Sequence, residues 1–251
     1  CEIPFACSAS NLEFSADIKT LGIETENIKI NDSDFDRLIQ DLKPDIVLFD
    51  RFMTEEQFGW RVSEHCPEAL KILDTEDLHS LRYARHKAFK KGTEFKLEDL
   101  YSDEARREIA AIYRCDISLI ISKFEYELLT DFFNIDAEIL HYLPFMFEEL
   151  DSDHLFDIPK FEERQHFISI GNFLHEPNWD AVRFLKEDIW KLIRKELPKA
   201  ELHIYGAYTS SKVEQLHNEQ EGFLVKGRAK SAEEVLKQSR ILLAPLRFGA
   251  G

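Results

Sequence analysis

Long apolar runs are missing from this chain: no stretch approaches the ~18–20 hydrophobic residues a membrane-spanning helix needs, and no signal peptide is visible. Cysteine is scarce. The four present, Cys1, Cys7, Cys66 and Cys115, include no CxxC pair, and no histidine stands at metal-ligand spacing from them. That excludes a disulfide scaffold or a cysteine-held zinc and leaves buried thiols in a reducing compartment, the cytoplasm, as the expectation. Positive charge is in deficit, with 32 Lys and Arg against 48 Asp and Glu and a formal net charge of −16. A surface so acidic repels a phosphate backbone, so no nucleic-acid partner is expected, although one local pocket for a pyrophosphate remains compatible with it. Internal repeats and low-complexity tracts are absent too. The chain begins with Cys and ends in a glycine-rich loop, so both ends are expected to be cuts in a longer protein.

What is present is a globular composition, 44% hydrophobic and 32% charged over 251 residues, enough for one large or two ordinary domains. The second half reads clearly. Short apolar runs at 167–170, 202–205, 223–225 and 241–244 mostly end at Gly171, Gly206 and Pro245, as buried parallel strands do. Between the first two lies a helical pattern over 180–197, with Ala181, Phe184, Leu185, Ile189, Leu192 and Ile193 on one face and Asn178 or Asp180 as its expected cap. A short helix over 232–239 separates the last two strands. This order implies a parallel, Rossmann-like sheet.

The first half repeats the grammar less cleanly. Strands are expected at 3–8, 27–30, 45–50, 70–75 and 117–122, with helices at 35–42, 97–114 and 123–134 and Ser33 as a cap. The acidic, aperiodic stretch 150–165, which holds Pro159, reads as a linker. The expected domains are therefore 1–150, a linker 151–165, and 166–251. Two such domains would bind ligands in a cleft at the carboxyl ends of their strands, with His79 and Gly171 both facing it.

Two loops in the second half carry the chemistry. Around Gly171 and Asn172 a strand ends, a short loop follows and a long helix begins, which aims backbone N–H groups and a positive helix end at an anion. In 241-ILLAPLRFGAG-251 a strand ends in proline, then Arg247 precedes Phe248, Gly249, Ala250 and Gly251. Glycine permits close backbone approach to phosphate and arginine can grip it bidentately. Each loop is also compatible with an ordinary surface turn. Trp179 and Trp190 are expected to pack rather than to hold a sugar, and Phe132, Phe133, Phe145 and Phe147 to lie in a core or between domains.

The runs 170-IGNFLHEPNWDAVRFL-185, 202-LHIYGA-207 and 225-VKGRAKSAEEVLKQSRILLAPLRFGAG-251 resemble, in order and spacing, the carboxyl-terminal domain of the family-4 glycosyltransferases. More loosely, 74-DTEDLHSLR-82 and 119-LIISKFEYELL-129 resemble the amino-terminal domain. The resemblance implies the α/β GT-B fold, two Rossmann-like domains with parallel sheets facing across a cleft. It implies retaining, metal-independent transfer of a sugar from a sugar nucleotide to a glycan, lipid or protein acceptor, with no cofactor. No transmembrane segment is expected, and peripheral attachment to a membrane is compatible with the resemblance. It also implies roles. Gly171 and Asn172 face the donor diphosphate or sugar. Gly227 and Arg228, in 225-VKGR-228, hold the nucleobase. Arg247, Phe248, Gly249, Ala250 and Gly251 begin the diphosphate loop. His79 faces the donor sugar as the catalytic residue, and Ser122 lines the cleft. The sequence departs from the family pattern in lacking an acidic residue shortly after Pro245.

Other readings stay open. A different sugar-nucleotide enzyme on the same fold, such as a hexosamine 2-epimerase, needs further acids and histidines in the cleft. A truncated domain that only binds partners would show no activity. The run 44-PDIVLFDRFM-53 resembles the phosphorylated strand of a receiver domain, but Cys7 and Ser8 stand where its acid pair belongs. His79 follows a buried strand within a polar stretch that reads as a loop, so it is either a functional strand-end residue or a plain surface histidine.

Overall fold

The computed structural model describes residues 2–9, 15–147 and 158–250. Within them the chain forms two compact units, one comprising 1–84, 95–145 and 250–251, the other 85–94 and 146–249. Of the linker expected at 151–165, residues 151–157 lie outside the described residues, and Gln165 already begins the first strand of the second unit.

In the first unit β1 (Phe5–Cys7) pairs in parallel with β2 (Thr25–Asn27). The second strand ends at Asn27, where the expected run 27–30 begins; beyond it Ile28 N–H still donates to Cys7 O at 3.0 Å and its side chain is buried in the core. After α1 (Asp34–Leu42) comes β3 (Ile46–Asp50), then α2 (Arg51–His65), β4 (Leu70–Asp74), α3 (His79–Lys91, of which the residues from Arg85 on belong to the second unit), α4 (Asp103–Arg114), β5 (Ile117–Ile120), α5 (Lys123–Glu127) and β6 (Leu140–Tyr142). The four strands from β3 to β6 form one parallel sheet in sequence order. Leu73 and Ile120 are its fully buried centre, with Val62, Leu81 and Ile112 of the helices packed in the same core.

Several local expectations change. The helix expected over 97–114 is two pieces, a 3-10 turn at Leu97–Leu100 and then α4, because Ser102 Oγ accepts from Ala105 N–H at 3.2 Å and starts a new helix there. Ser33 stands before α1 without a side-chain cap bond; Asp32 Oδ1 accepts from Asp34 N–H instead. Phe132 and Phe133 pack on the core as expected, but Phe145 and Phe147 are exposed, at 68% and 88%. Among the described thiols only Cys115 is buried, and burial pushes its pKa up to about 12, which makes it inert.

In the second unit β7 (Gln165–Asn172), β8 (Leu202–Ala207), β9 (Phe223–Gly227) and β10 (Ser239–Leu242) form a parallel sheet in the order β10-β7-β8-β9. The connecting helices are α6 (Glu176–Phe184), continuing through a wider turn at Leu185–Ile189 into α7 (Trp190–Glu196), α8 (Ser211–Glu214) and α9 (Ala232–Gln238). The long helix starts four residues before the expected 180, because Pro177 fits its first turn. Neither Asn178 nor Asp180 caps it: His175 holds that position and makes no side-chain cap bond. Trp190 is a packing residue, 1% exposed, and its indole N–H donates to Glu221 O at 2.7 Å. Leu185, Leu202, Ile204 and Phe223 complete this core.

Candidate functional site

His79 opens α3 rather than sitting in a loop. The polar stretch 74–80 becomes a helix start because two carboxylates from other elements take its orphan amides. Leu78 N–H donates to Glu125 Oε1 at 3.0 Å, His79 N–H to Glu108 Oε1 at 2.8 Å, and Ser80 N–H to Glu108 Oε2 at 3.1 Å, while Ser80 Oγ donates to the same oxygen at 2.6 Å. The four N–H groups of a helix's first turn lack intrahelical partners, and an anion there also meets the positive end of the helix dipole. Glu108 is 2% exposed, and that burial pushes its carboxyl up to about 7, against the pull of the Ser80 and His79 hydrogen bonds.

The His79 ring is nearly enclosed. It lies edge-on to Phe52 at 5.5 Å, and its Nε2 stands 3.7 Å from Asp77 Oδ1. Burial, then the Arg82 charge, lower its pKa to about 4 despite the opposing pull of Asp77. The imidazole is therefore neutral at pH 7, able to accept a hydrogen bond from a hydroxyl. Ser122, at the end of β5, caps α5 by accepting from Glu125 N–H at 3.4 Å. Asp50 ends β3 and its Oδ1 lies 3.2 Å from Arg51 Nε on the surface.

In the second unit three glycines stand at the carboxyl ends of three adjacent strands. Gly171 of β7 is level with Gly206 of β8, and Tyr205 of β8 is level with Gly227 of β9. This is the edge at which open parallel sheets bind ligands. Gly206 was legible only as a strand end, and the structure shows why no side chain fits. A Cβ there would lie 2.3 Å from Phe173 Cε2 and 2.4 Å from Gly171 O. At Gly171 a Cβ would lie 2.8 Å from Asn178 Nδ2. Gly227 has φ +72 and open space around its missing side chain.

The loop after Gly171 is closed by its own hydrogen bonds. Phe173 N–H donates to Ala207 O, Leu174 N–H to Asn172 Oδ1, and His175 N–H to Asn172 O, at 3.2, 2.9 and 3.1 Å. Asn178 Nδ2 adds a bond to Asn172 O at 3.0 Å. Asn172 therefore organises the loop, and these three amides have protein partners rather than an open anion nest. Arg228 is exposed just past β9.

The final loop departs further from the expectation. Arg247 donates from Nε and Nη2 to Asp180 Oδ2 and Oδ1 at 2.8 and 2.6 Å. Its guanidinium lies between the rings of Phe89 and Phe184, 4.7 and 4.4 Å from their centroids. The bidentate face expected to meet a diphosphate is thus engaged by a carboxylate. The Phe248 ring is buried, stacked on His86 at 4.4 Å, so only its backbone is available to a ligand. Gly249 O accepts from Arg85 Nη1 at 2.9 Å, and Ala250 packs on the first core. Gly251 lies outside the described residues.

Residues 164–251 match the sequence profile of the family described as glycosyl transferases group 1. No curated protein matches the chain. Among solved structures, the lipopolysaccharide outer core galactosyltransferase WaaB in its apo form is 15% identical at a TM-score of 0.50, covering 96% of this chain and 63% of its own. A TarM variant of S. aureus in complex with Fondaparinux, alpha-GlcNAc-glycerol and UDP is 12% identical at a TM-score of 0.55, covering 82% and 38%. A further TarM structure is 15% identical at 0.54, with the same coverage. The chain spans less than two thirds of the length of each. At these identities the likeness is one of fold, the α/β GT-B type with parallel sheets, and the glycosyl transferases group 1 match falls on the segment that holds the strand ends at Gly171, Gly206 and Gly227.

Proposed function

We propose that this protein transfers a sugar from a sugar nucleotide to a glycan, lipid or protein acceptor. The observation that carries the reading is the family match over 164–251, which covers β7 to β10 and the three glycine-bearing strand ends. On this reading the donor diphosphate lies over those ends, with Gly171, Gly227 and the backbone of Gly249 closest to it. Arg228 stands beside the base. Asn172 and Arg247 hold the loops in place from behind. The reaction breaks the bond between the anomeric carbon and the diphosphate oxygen and forms one to an acceptor hydroxyl oxygen, whose proton is lost. The departing diphosphate gains negative charge, which the dipole of α6, though not the amides of Phe173, Leu174 and His175, and the backbone at the glycine-bearing strand ends stabilise. The first turn of α6 has no side-chain cap.

The finer reading is retaining transfer without a metal ion, in the cytoplasm. His79 acts on the sugar as a neutral hydrogen-bond acceptor that orients it. No helix of the described residues is long and apolar enough to cross a membrane, and a peripheral attachment suits a lipid acceptor. The test is product analysis by the whole protein with sugar nucleotides, with and without acceptor. Acceptor-dependent release of the nucleoside diphosphate, with the anomeric configuration of the donor kept in the product, is the expected result. Conversion of the sugar nucleotide without acceptor would favour an epimerase instead, and failure to bind any nucleotide would leave a binding domain.

A further inference from the structure

Far from the glycine-bearing strand ends, three metal-ligating side chains meet at the opposite edge of the same sheet. His166 is the second residue of β7, His203 the second residue of β8, and Glu201 immediately precedes β8. The parallel pairing of these strands, with Phe167 opposite Leu202, brings His166 beside the Glu201–His203 pair across a gap of 35 and 37 positions in sequence. From His166 to Gly171 β7 runs five residues, about 16 Å, and from His203 to Gly206 β8 runs three, about 10 Å, at ~3.3 Å per residue, so the cluster shares no residue with the strand ends of the proposed donor site.

We propose that His166, Glu201 and His203 form a binding site for a divalent transition metal of the zinc class. One ligand atom from each residue falls within 4.8 Å of the other two. Glu201 Oε2 is shared: His166 Nδ1 stands 3.4 Å from it and His203 Nε2 2.9 Å. Around a tetrahedral zinc with bonds of about 2.0–2.2 Å, neighbouring ligand atoms lie roughly 3.3–3.5 Å apart. The His166–Glu201 separation already matches, and the His203–Glu201 separation reaches it by opening about half an ångström. Two imidazoles and one carboxylate leave the fourth position to water, the donor set that suits zinc rather than the all-oxygen preference of magnesium or calcium.

A second observation points the same way. His166 has φ +62, in the left-handed region that a residue with a side chain rarely adopts. That conformation lays its ring over His203, with centroids 3.9 Å apart and planes 23° apart, and turns its Nδ1 towards the same carboxylate oxygen. The Lys226 charge opposes cation binding, but its side chain belongs to an exposed residue of β9 and can turn to solvent. All three ligands are half-buried, so an ion could enter directly from water.

Zinc titrated into the metal-stripped protein against a chromophoric chelator should show one saturable site, and zinc should raise the melting temperature. Cobalt in its place should give the visible absorption of a four-coordinate nitrogen–oxygen site. His166→Ala and Glu201→Gln should each weaken zinc binding at least about tenfold and abolish the cobalt band, whereas His217→Ala, a half-exposed histidine elsewhere, should leave both intact. Glu201→Gln keeps the side chain's shape, so it reads the site even if a histidine variant folds poorly. Absence of a saturable site, or a site that survives both His166→Ala and Glu201→Gln, would overturn the assignment.

Discussion

Arg247 and Asp180 hold one another through two hydrogen bonds, 2.8 and 2.6 Å long, and the Asp180 side chain is 7% exposed while that of Arg247 is 30% exposed. The pair ties the loop after β10 to α6, across 67 positions of sequence. Arg183, the other cation at Asp180, stands farther off at 3.7 Å. Two rings flank the guanidinium, so the arrangement is a packed clamp rather than a mobile phosphate hook.

Arg247→Ala should therefore act on stability first. It leaves an enclosed carboxylate with one distant partner, and removal of one member of such a pair costs about 2–3 kcal/mol, discounted for the partial exposure of the arginine. Chemical denaturation reads that loss. Affinities for a nucleoside diphosphate and for its nucleoside should fall by the same factor. A loss confined to the diphosphate would show that the guanidinium leaves Asp180 to reach phosphate.

The strand-end glycines should rank by what their missing Cβ would meet. Gly206→Ala drives a methyl into the Phe173 ring and the Gly171 carbonyl, and backbone cannot yield as a side chain can. A destabilisation of about 2–3 kcal/mol is expected. Gly171→Ala meets Asn178 Nδ2 and Cγ, which can rotate away, and its Cβ at 3.3 Å, which needs only a small shift, so the expected loss is smaller, about 1 kcal/mol, from the forfeited bond to Asn172 O. Thermal melts of the two variants would test the order. A milder effect at 206 than at 171 would contradict the close packing of the loop on the sheet.

Glu108 and His79 should oppose one another in pH dependence. The folded pKa of Glu108 is raised to about 7 from 4.5, so the folded state binds the extra proton. The stability it brings is complete below about 4.5 and is lost as pH rises through 7. The folded pKa of His79 is lowered to about 4 from 6.5, so here the unfolded state binds the extra proton and stability is lost as pH falls from 6.5 towards 4. Between about pH 4.5 and 6.5 the two slopes have opposite signs and largely cancel. Glu108→Gln removes one of them, and its unfolding free energy should rise with pH across that window more steeply than the parent's. Parallel pH profiles for parent and variant would exclude the titration assigned to Glu108.

The parallel α/β character of both halves was legible because buried strands announce themselves as short apolar runs ended by Gly or Pro, and Gly171, Gly206 and Pro245 stand where those runs stop. What was not legible depends on distant partners. The stretch 74–80 reads as a loop because nothing local caps a helix there, and the acceptors that make it one, Glu108 and Glu125, lie 29 and 47 residues away from the amides of His79 and Leu78. Arg247 reads as a phosphate ligand for the same reason, since Asp180 looks in sequence like a helix cap. His166 carries no signal next to Glu201 and His203 until the pairing of β7 with β8 is known.

The proposed catalytic role of His79 predicts a loss in turnover with little loss in nucleotide affinity. Its backbone is fixed by Glu108, and its ring is held against Phe52, so the imidazole has a defined direction before any substrate arrives. The ring is neutral at pH 7 because burial resists protonation, and a neutral ring can accept from a sugar hydroxyl without a charge that would bind the diphosphate in its place. Such a contact matters most when the ring of the sugar reaches the geometry of the transition state. His79→Ala in the whole protein should leave nucleoside-diphosphate affinity within about threefold while turnover falls by ~10²-fold or more, the usual scale for one positioned group. Titration calorimetry and steady-state transfer with the donor separate the two quantities. A purely structural histidine would instead lower the melting temperature and reduce active protein without changing turnover per folded molecule, and that pattern would remove His79 from the reaction.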